Sequence, residues 1–94
     1  MKVLERDVEA YAVSQSKKLG VVTLKLTSPA NRGVPDRIFV YGGRTVFVEL
    51  KAPGNVPTKQ QQFWLRKLAA AGADVRVLDS KEAVARFLEG LTAS

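Results

Sequence analysis

The chain has 94 residues and a formal net charge of +6, from 15 Lys and Arg against 9 Asp and Glu, and it contains neither histidine nor cysteine. The length allows one domain, 1–94, and the missing residue types exclude disulfides, zinc fingers and any mechanism that needs a thiol or an imidazole. Any metal site must use oxygen ligands, which favours Mg²⁺, Mn²⁺ or Ca²⁺, and the positive balance suggests an anionic partner, nucleic acid before a membrane surface.

Apolar periodicity and turn residues divide the chain into three helices and four strands. In chain order these are helix 4–19, strand 21–26, strand 36–41, strand 44–51, helix 58–71, strand 74–78 and helix 81–91. The pair Gly42-Gly43 is typical of a two-residue hairpin turn. Capping boxes are predicted where Thr58 precedes Gln61 and where Asp79 precedes Glu82. The order α-β-β-β-α-β-α indicates an α/β fold, with helices flanking a mixed sheet and a parallel crossover between its last two strands.

The hairpin register predicts a polar cluster at the open end of the hairpin. With Gly42-Gly43 in the turn, Asp36 lies directly opposite Glu49, and directly opposed residues point to the same face of a sheet. Lys51, two residues after Glu49, points to that face as well. Facing carboxylates repel each other. Their arrangement is therefore explained if a divalent cation lies between them, and the Leu50 carbonyl could be a further oxygen ligand of that cation. The alternative is a surface hairpin end with one ordinary ion pair to Lys51.

Two segments that contain these residues resemble a known nuclease motif. Residues 33–36 (GVPD) and 48–51 (VELK) are similar to the two halves of the PD-(D/E)xK motif. Together, GVPDR, VFVELKAPG and PTKQQ resemble the stand-alone phage and bacterial form of the VRR-Nuc family, over nearly the whole chain. The resemblance implies a restriction-endonuclease-like core and a Mg²⁺- or Mn²⁺-dependent endonuclease that acts as a homodimer on branched or structured DNA, such as a junction, flap or splayed arm. It also implies that Asp36 and Glu49 hold the metal and that Lys51 positions the attacking water.

The resemblance adds two further residues to the expected site. Gln61, at the start of the second helix, matches the family's glutamine near the active site. An acidic residue of the first helix also belongs to the site, and Glu5 and Glu9 are both candidates because they lie four residues apart on one helix face. We prefer Glu9 as the catalytic and metal-binding residue, since its distance from Gly20 is similar to that in related junction-cleaving nucleases. Glu5 is the alternative.

Several further residues have both a functional and a structural interpretation. Those expected to contact DNA phosphates are Lys25, Ser28, Arg32 and Arg37. Lys25 and Ser28 belong to a pattern, LKxxSP, that the family shares, whereas turn formation by Ser28 and solvated cations are the structural alternatives. Phe63, Trp64 and Leu68 have the spacing of core residues, which we favour over stacking of Trp64 on a base.

Two classes of function fit these observations. The first is a metal-dependent DNA endonuclease. The alternative is a basic nucleic-acid-binding module without catalysis, although a pure binder has no reason to cluster carboxylates that repel phosphate. A ribosomal-type RNA protein fits the charge and size but leaves the GVPD and ELK segments unexplained. The apolar stretches are short and residues 1–7 lack the apolar region of a signal peptide, so we expect a soluble, cytoplasmic protein without a membrane partner.

Overall fold

The computed structural model describes residues 1–93, which form the predicted sequence of helices and strands. The elements are α1 (Glu5–Leu19), β1 (Val22–Lys25), β2 (Arg37–Tyr41), β3 (Arg44–Leu50), α2 (Lys59–Ala70), β4 (Asp74–Leu78) and α3 (Lys81–Thr92). Every boundary lies within one residue of its predicted position, so the α/β assignment is confirmed. Within the described residues, each helix is too short or too polar to cross a membrane.

The four strands form one mixed sheet in the order β1-β2-β3-β4. Strand β2 is antiparallel to both β1 and β3, whereas β3 and β4 are parallel, as the crossover through α2 requires. Tyr41 pairs with Arg44 across the Gly42-Gly43 turn, where both glycines have a positive φ that favours glycine. Continuing this register one residue beyond β2 sets Asp36 opposite Glu49. The observed register is therefore consistent with the predicted alignment of the two carboxylates.

The main core lies between one face of the sheet and the two helices α1 and α3. Its buried residues are Val8, Ala12, Val21, Phe39, Val46, Val48, Leu50, Leu78, Val84, Phe87, Leu88 and Leu91. Phe39 of β2 and Phe87 of α3 meet edge to face, with ring centroids 5.4 Å apart. On β3 the core side chains Val46, Val48 and Leu50 alternate with Phe47 and Glu49, which point to the opposite face of the sheet. One strand thus supports both the core and the polar cluster.

Helix α2 lies against the opposite face of the sheet and, among the described residues, contributes none to the main core. The expectation of core packing is therefore wrong for Phe63, whereas Trp64 and Leu68 are half-buried but lie outside the main core. Phe63 is 48% exposed, and the Lys67 ammonium lies over its ring and the Trp64 ring at 5.5 and 5.3 Å from the centroids. The apolar spacing shows that α2 has an apolar face, but spacing alone does not show how deeply that face is covered.

The two predicted capping boxes have different outcomes. The first is confirmed: the Gln61 N–H donates to Thr58 Oγ1 at 3.2 Å, and the Thr58 N–H donates to Gln61 Oε1 at 2.9 Å. The second is wrong, because Ser80 rather than Asp79 caps α3 and its hydroxyl accepts the Ala83 N–H at 2.9 Å. Asp and Ser are equally good caps, so adjacent copies leave the start of a helix uncertain by one residue.

Candidate active site

The open end of the β2–β3 hairpin brings Asp36, Glu49 and Lys51 together. The Glu49 side chain is only 3% exposed and the Lys51 side chain 12%, and Lys51 Nζ lies 3.7 Å from Glu49 Oε2. Asp36 is half-buried, and its Oδ1 accepts the backbone N–H of Leu50 at 3.3 Å. The peptide of Leu50 therefore lies beside the two acidic side chains. This is an ionic cluster in a partly dry environment and not a solvated hairpin end.

The electrostatics of this cluster are unfavourable for two negative charges. Burial raises the pKa of Asp36 from 3.8 to about 6, although the Leu50 N–H lowers it in part. Burial also raises the pKa of Glu49 from 4.5 to about 7, and repulsion by Asp36 adds to that rise while Lys51 opposes it. One ammonium does not balance the pair, so a further positive charge between the carboxylates would stabilise the ionised site.

Glu9 of α1 does not join this cluster but takes part in a separate network on the other side of the sheet. Its Oε2 accepts a hydrogen bond from Arg37 Nε at 3.1 Å and lies 3.6 Å from Lys25 Nζ. A second guanidinium nitrogen of Arg37 donates to Thr23 Oγ1 at 3.2 Å. Arg37 follows Asp36 directly and therefore points to the opposite face of the sheet. We call this group of Glu9, Arg37, Lys25 and Thr23 the α1 clamp, because it fastens the helix to β1 and β2.

Glu5, one turn earlier on α1, has the stronger connection to the carboxylate pair. Its charge raises the pKa of both Asp36 and Glu49, and its effect on Asp36 exceeds that of Glu9. Glu5 is exposed at the start of the helix, where it is accessible to substrate. The contacts of Glu9 with Arg37 and Lys25 therefore favour Glu5 as the acidic residue of the site, and the choice between Glu5 and Glu9 stays a prediction. The four-residue spacing places both on one helix face, and the sequence does not show that Arg37 forms an ion pair with Glu9.

Gln61 reaches the site through the capping box of α2. Its amide oxygen accepts the Thr58 N–H, which leaves the amide nitrogen free to donate to Glu49 Oε2 at 3.0 Å. The cap thereby fixes which end of the amide faces the carboxylate. Gln61 lies where the family resemblance expects it, in contact with the buried acid.

The acidic residues suit a hard cation that keeps some of its own water. Among residues 1–93, no three His, Cys, Asp or Glu side chains lie close enough to form a complete cage for a metal. Mg²⁺, however, is usually bound by one or two carboxylates and completes its octahedron with water. Half-buried Asp36 and buried Glu49, with raised pKa values and the Leu50 peptide beside Asp36, fit that mode of binding.

Some of the residues predicted to contact phosphate are exposed, and others interact with partners within the protein. Arg37 is only 13% exposed and belongs to the α1 clamp, which favours a structural role over the predicted contact with DNA. Lys25 is 61% exposed although it pairs with Glu9, and Arg32 is exposed. Ser28 stabilises a turn, because its hydroxyl and carbonyl accept the side-chain and backbone N–H groups of Asn31 at 3.1 and 3.0 Å. Its structural interpretation therefore has direct support.

One close contact was not anticipated from the sequence. Gly33 has φ of +93°, and a Cβ atom there would lie 2.7 Å from Gln60 Cγ and 2.9 Å from the Gln60 carbonyl carbon and oxygen. Glycine thus lets the loop before Asp36 pack directly on the first turn of α2, which carries Gln61. The sequence shows Gly33 only as the first residue of the GVPD segment and does not identify Gln60 as the residue that it contacts.

Known proteins with similar sequence or structure place this chain in a family. No family model matches it. It is 42% identical over 84 residues to "Putative nuclease p44" of Acyrthosiphon pisum secondary endosymbiont phage 1, covering 87% of this chain and 90% of that protein. A solved structure described as a VRR_NUC domain is 29% identical, with a TM-score of 0.82 and coverage of 90% of this chain and 94% of the other. The fold and the acidic cluster are those of a small nuclease with a PD-(D/E)xK-type core. More specifically, the chain belongs to the VRR-Nuc family.

Proposed function

We propose that this nuclease is a metal-dependent DNA endonuclease and that Asp36 and Glu49 hold Mg²⁺ or Mn²⁺. The observation that carries the proposal is the buried pair of carboxylates with a single lysine beside it. In a basic protein, such a pair opposes folding and repels phosphate unless a cation is present. The alternative of a DNA-binding module without catalysis provides no reason for this arrangement.

The residues around the pair have complementary tasks in hydrolysis. The divalent cation, when bound, supplies Lewis-acid activation of water and stabilises the charge that develops on the phosphoryl group. Lys51, held beside Glu49, positions the attacking water, and the Leu50 carbonyl offers a further oxygen ligand. Gln61 holds the Glu49 carboxylate in one orientation. Glu5 is the acidic residue that α1 contributes.

The substrate and the assembly state form the finer part of the proposal. We propose branched or structured DNA as the substrate and a homodimer as the active form, because two sites related by a two-fold axis suit a symmetric junction. The family resemblance supports both. Exposed apolar side chains on the outer strand also favour association, since Val22 is 53% exposed and Leu24, on the same face, is 55% exposed. Sedimentation equilibrium would measure the molecular mass directly.

Cleavage of defined DNA substrates tests the proposed activity. Linear duplex, four-way junction, flap and splayed-arm DNA are incubated with Mg²⁺, Mn²⁺ or EDTA. We expect metal-dependent cleavage by the wild type and a loss of about 100-fold or more in Asp36→Asn and Lys51→Gln, since each removes charge from the reacting centre. Glu82→Gln removes a charge from the exposed start of α3 and is the matched control. Absence of cleavage on every substrate would refute the enzyme, and full activity in Asp36→Asn would refute the site.

A further inference from the structure

Three arginines from different elements converge at the hairpin-turn end of the sheet. They are Arg44 at the start of β3, Arg76 in β4 and Arg86 in α3. They line a cavity of about 190 Å³, together with Phe87, Gly90 and Leu91 of α3. Guanidinium groups remain charged at every physiological pH and present donors in a planar fork that matches the oxygens of phosphate. We call this cavity the arginine pocket.

The arginine pocket keeps an excess of positive charge. Asp74 pairs with Arg76 through two contacts of 2.8 and 3.2 Å and lies 3.7 Å from Arg44, which lowers the pKa of Asp74. No ion pair joins Arg86 to a carboxylate anywhere in residues 1–93. Three guanidinium groups therefore face one carboxylate. An anion that enters the pocket would supply the missing negative charge.

The walls of the pocket are already arranged for a ligand. Arg76 is fixed by Asp74 on one side and by the Phe87 ring on the other, with its central carbon 5.6 Å from the ring centroid. A fixed guanidinium loses little conformational entropy when it binds an anion. Gly90 lies within α3, where glycine is less favourable than alanine, yet a Cβ atom there would have no described atom within 4 Å. Packing therefore does not require this glycine, which lines the arginine pocket.

The arginine pocket is separate from the acidic site in both position and direction. Arg44 and Glu49 are five residues apart on β3, which corresponds to about 17 Å along the strand. Arg44 and Arg76 point to the face covered by α3, whereas Glu49 points to the face covered by α2. We propose that the arginine pocket binds a phosphate group, which is supplied either by nucleic acid remote from the cleaved bond or by free phosphate.

Binding of inorganic phosphate provides the first test. In ¹⁵N NMR titrations at constant ionic strength and in EDTA, we expect saturable shifts of the Arg76, Arg86 and Gly90 amides. Arg86→Gln should weaken this binding about 10-fold or more, as loss of a charge-assisted contact does. Lys18→Gln, which removes one charge from the exposed end of α1, should bind as the wild type does. Shifts that do not saturate, or equal binding by Arg86→Gln, would overturn the proposal.

Gly90→Ala separates binding from folding. Alanine should raise the melting temperature because it favours the helix, while its methyl group should weaken phosphate binding by narrowing the pocket. A variant that melts no lower than the wild type yet binds phosphate less tightly would support the pocket. Unchanged phosphate binding in a folded Gly90→Ala protein would contradict it.

The salt dependence of DNA binding distinguishes the two sources of phosphate. If DNA fills the pocket, Arg86→Gln should reduce the slope of log K against log salt by about 0.9, the value for one lost phosphate contact, whereas Lys18→Gln serves as the charge-matched reference. An unchanged slope, with phosphate binding retained in the wild type, would assign the pocket to free phosphate. Both measurements are made in EDTA, so they do not depend on the proposed cleavage activity and fail independently of it.

Discussion

The substitution Asp36→Asn should stabilise the metal-free protein while it removes activity. Asparagine has the same shape as aspartate, and its oxygen can still accept the Leu50 N–H that Asp36 accepts at 3.3 Å. Burial raises the pKa of Asp36 from 3.8 to about 6. The difference between these two pKa values corresponds to about 3 kcal/mol of unfavourable ionisation, and screening of this half-buried group lowers the expected gain to about 1–2 kcal/mol. We expect that gain in the free energy of unfolding at about pH 8.

The direction of the pH dependence follows from the raised pKa. Between the unfolded and folded pKa values the folded wild type binds more protons, so its stability falls as pH rises from about 4 to about 6. Asparagine does not titrate, and the two proteins should therefore be equally stable near pH 4 and diverge above it. Urea unfolding followed by circular dichroism, in EDTA and at several pH values, measures the difference. Glu82→Gln removes an exposed charge of α3 and should change stability by less than about 0.5 kcal/mol.

Divalent metal should reverse the order of the two proteins. A ligand that binds only the folded state adds about 2.7 kcal/mol when its concentration is 100 times its dissociation constant. The wild type should gain this stability with Mg²⁺ or Mn²⁺, and Asp36→Asn should gain much less. The reasoning is refuted if Asp36→Asn is less stable than the wild type in EDTA at about pH 8, or if metal stabilises both proteins equally.

Three further predictions concern the surroundings of the site. Glu5→Gln should lower metal-dependent cleavage about 10-fold or more without loss of stability. Glu9→Gln should mainly lower the free energy of unfolding in urea, by about 1 kcal/mol. The opposite pattern would indicate that Glu9, and not Glu5, belongs to the active site. Gly33→Ala should lower the free energy of unfolding in urea by about 1–3 kcal/mol, because Gly33 has a positive φ and also contacts α2. Gly20→Ala should lower it by less, because Gly20 has a positive φ but no neighbouring atoms. Equal losses would contradict the contact of Gly33 with α2. With subsaturating Mg²⁺, cleavage should decline as pH falls through about 7, because the pKa of Glu49 in the metal-free protein is raised to about 7 and protonation competes with metal binding. A constant rate between about pH 8 and pH 6 under these conditions would argue against the ionised role of Glu49.

The parts of the fold with strong local signals could be predicted from the sequence. The Gly42-Gly43 turn predicts the observed register from Tyr41↔Arg44 to Arg37↔Val48, and the same register extended by one residue sets Asp36 opposite Glu49. Thr58 and Gln61 likewise marked the start of α2, and the same cap delivers Gln61 to the acidic cluster. In each case residues close together in the sequence determine the backbone geometry, so that geometry can be predicted from a short segment.

Features that depend on competition between distant residues could not be predicted in this way. Glu5 and Glu9 share a helix face, and the choice between them rests on Arg37, which lies 28 residues beyond Glu9. The same arginine looked like a DNA contact because its sequence position is beside Asp36. The exposure of Phe63 could not be predicted from the sequence. Periodicity indicates that a helix has an apolar face, but it does not indicate how much of that face the sheet covers.

The position of the acidic pair on β3 explains how the protein tolerates it. Val46, Val48 and Leu50 of this strand are fully buried in the main core, and they alternate with Glu49 on the other face. Hydrophobic burial on one face therefore holds the strand in place and offsets the unfavourable ionisation on the other. The carboxylates do not need to stabilise the fold, so their arrangement is free to serve a cation. Loss of a core residue should therefore impair stability and activity together, whereas loss of the Asp36 charge should impair activity without lowering the stability of the metal-free protein.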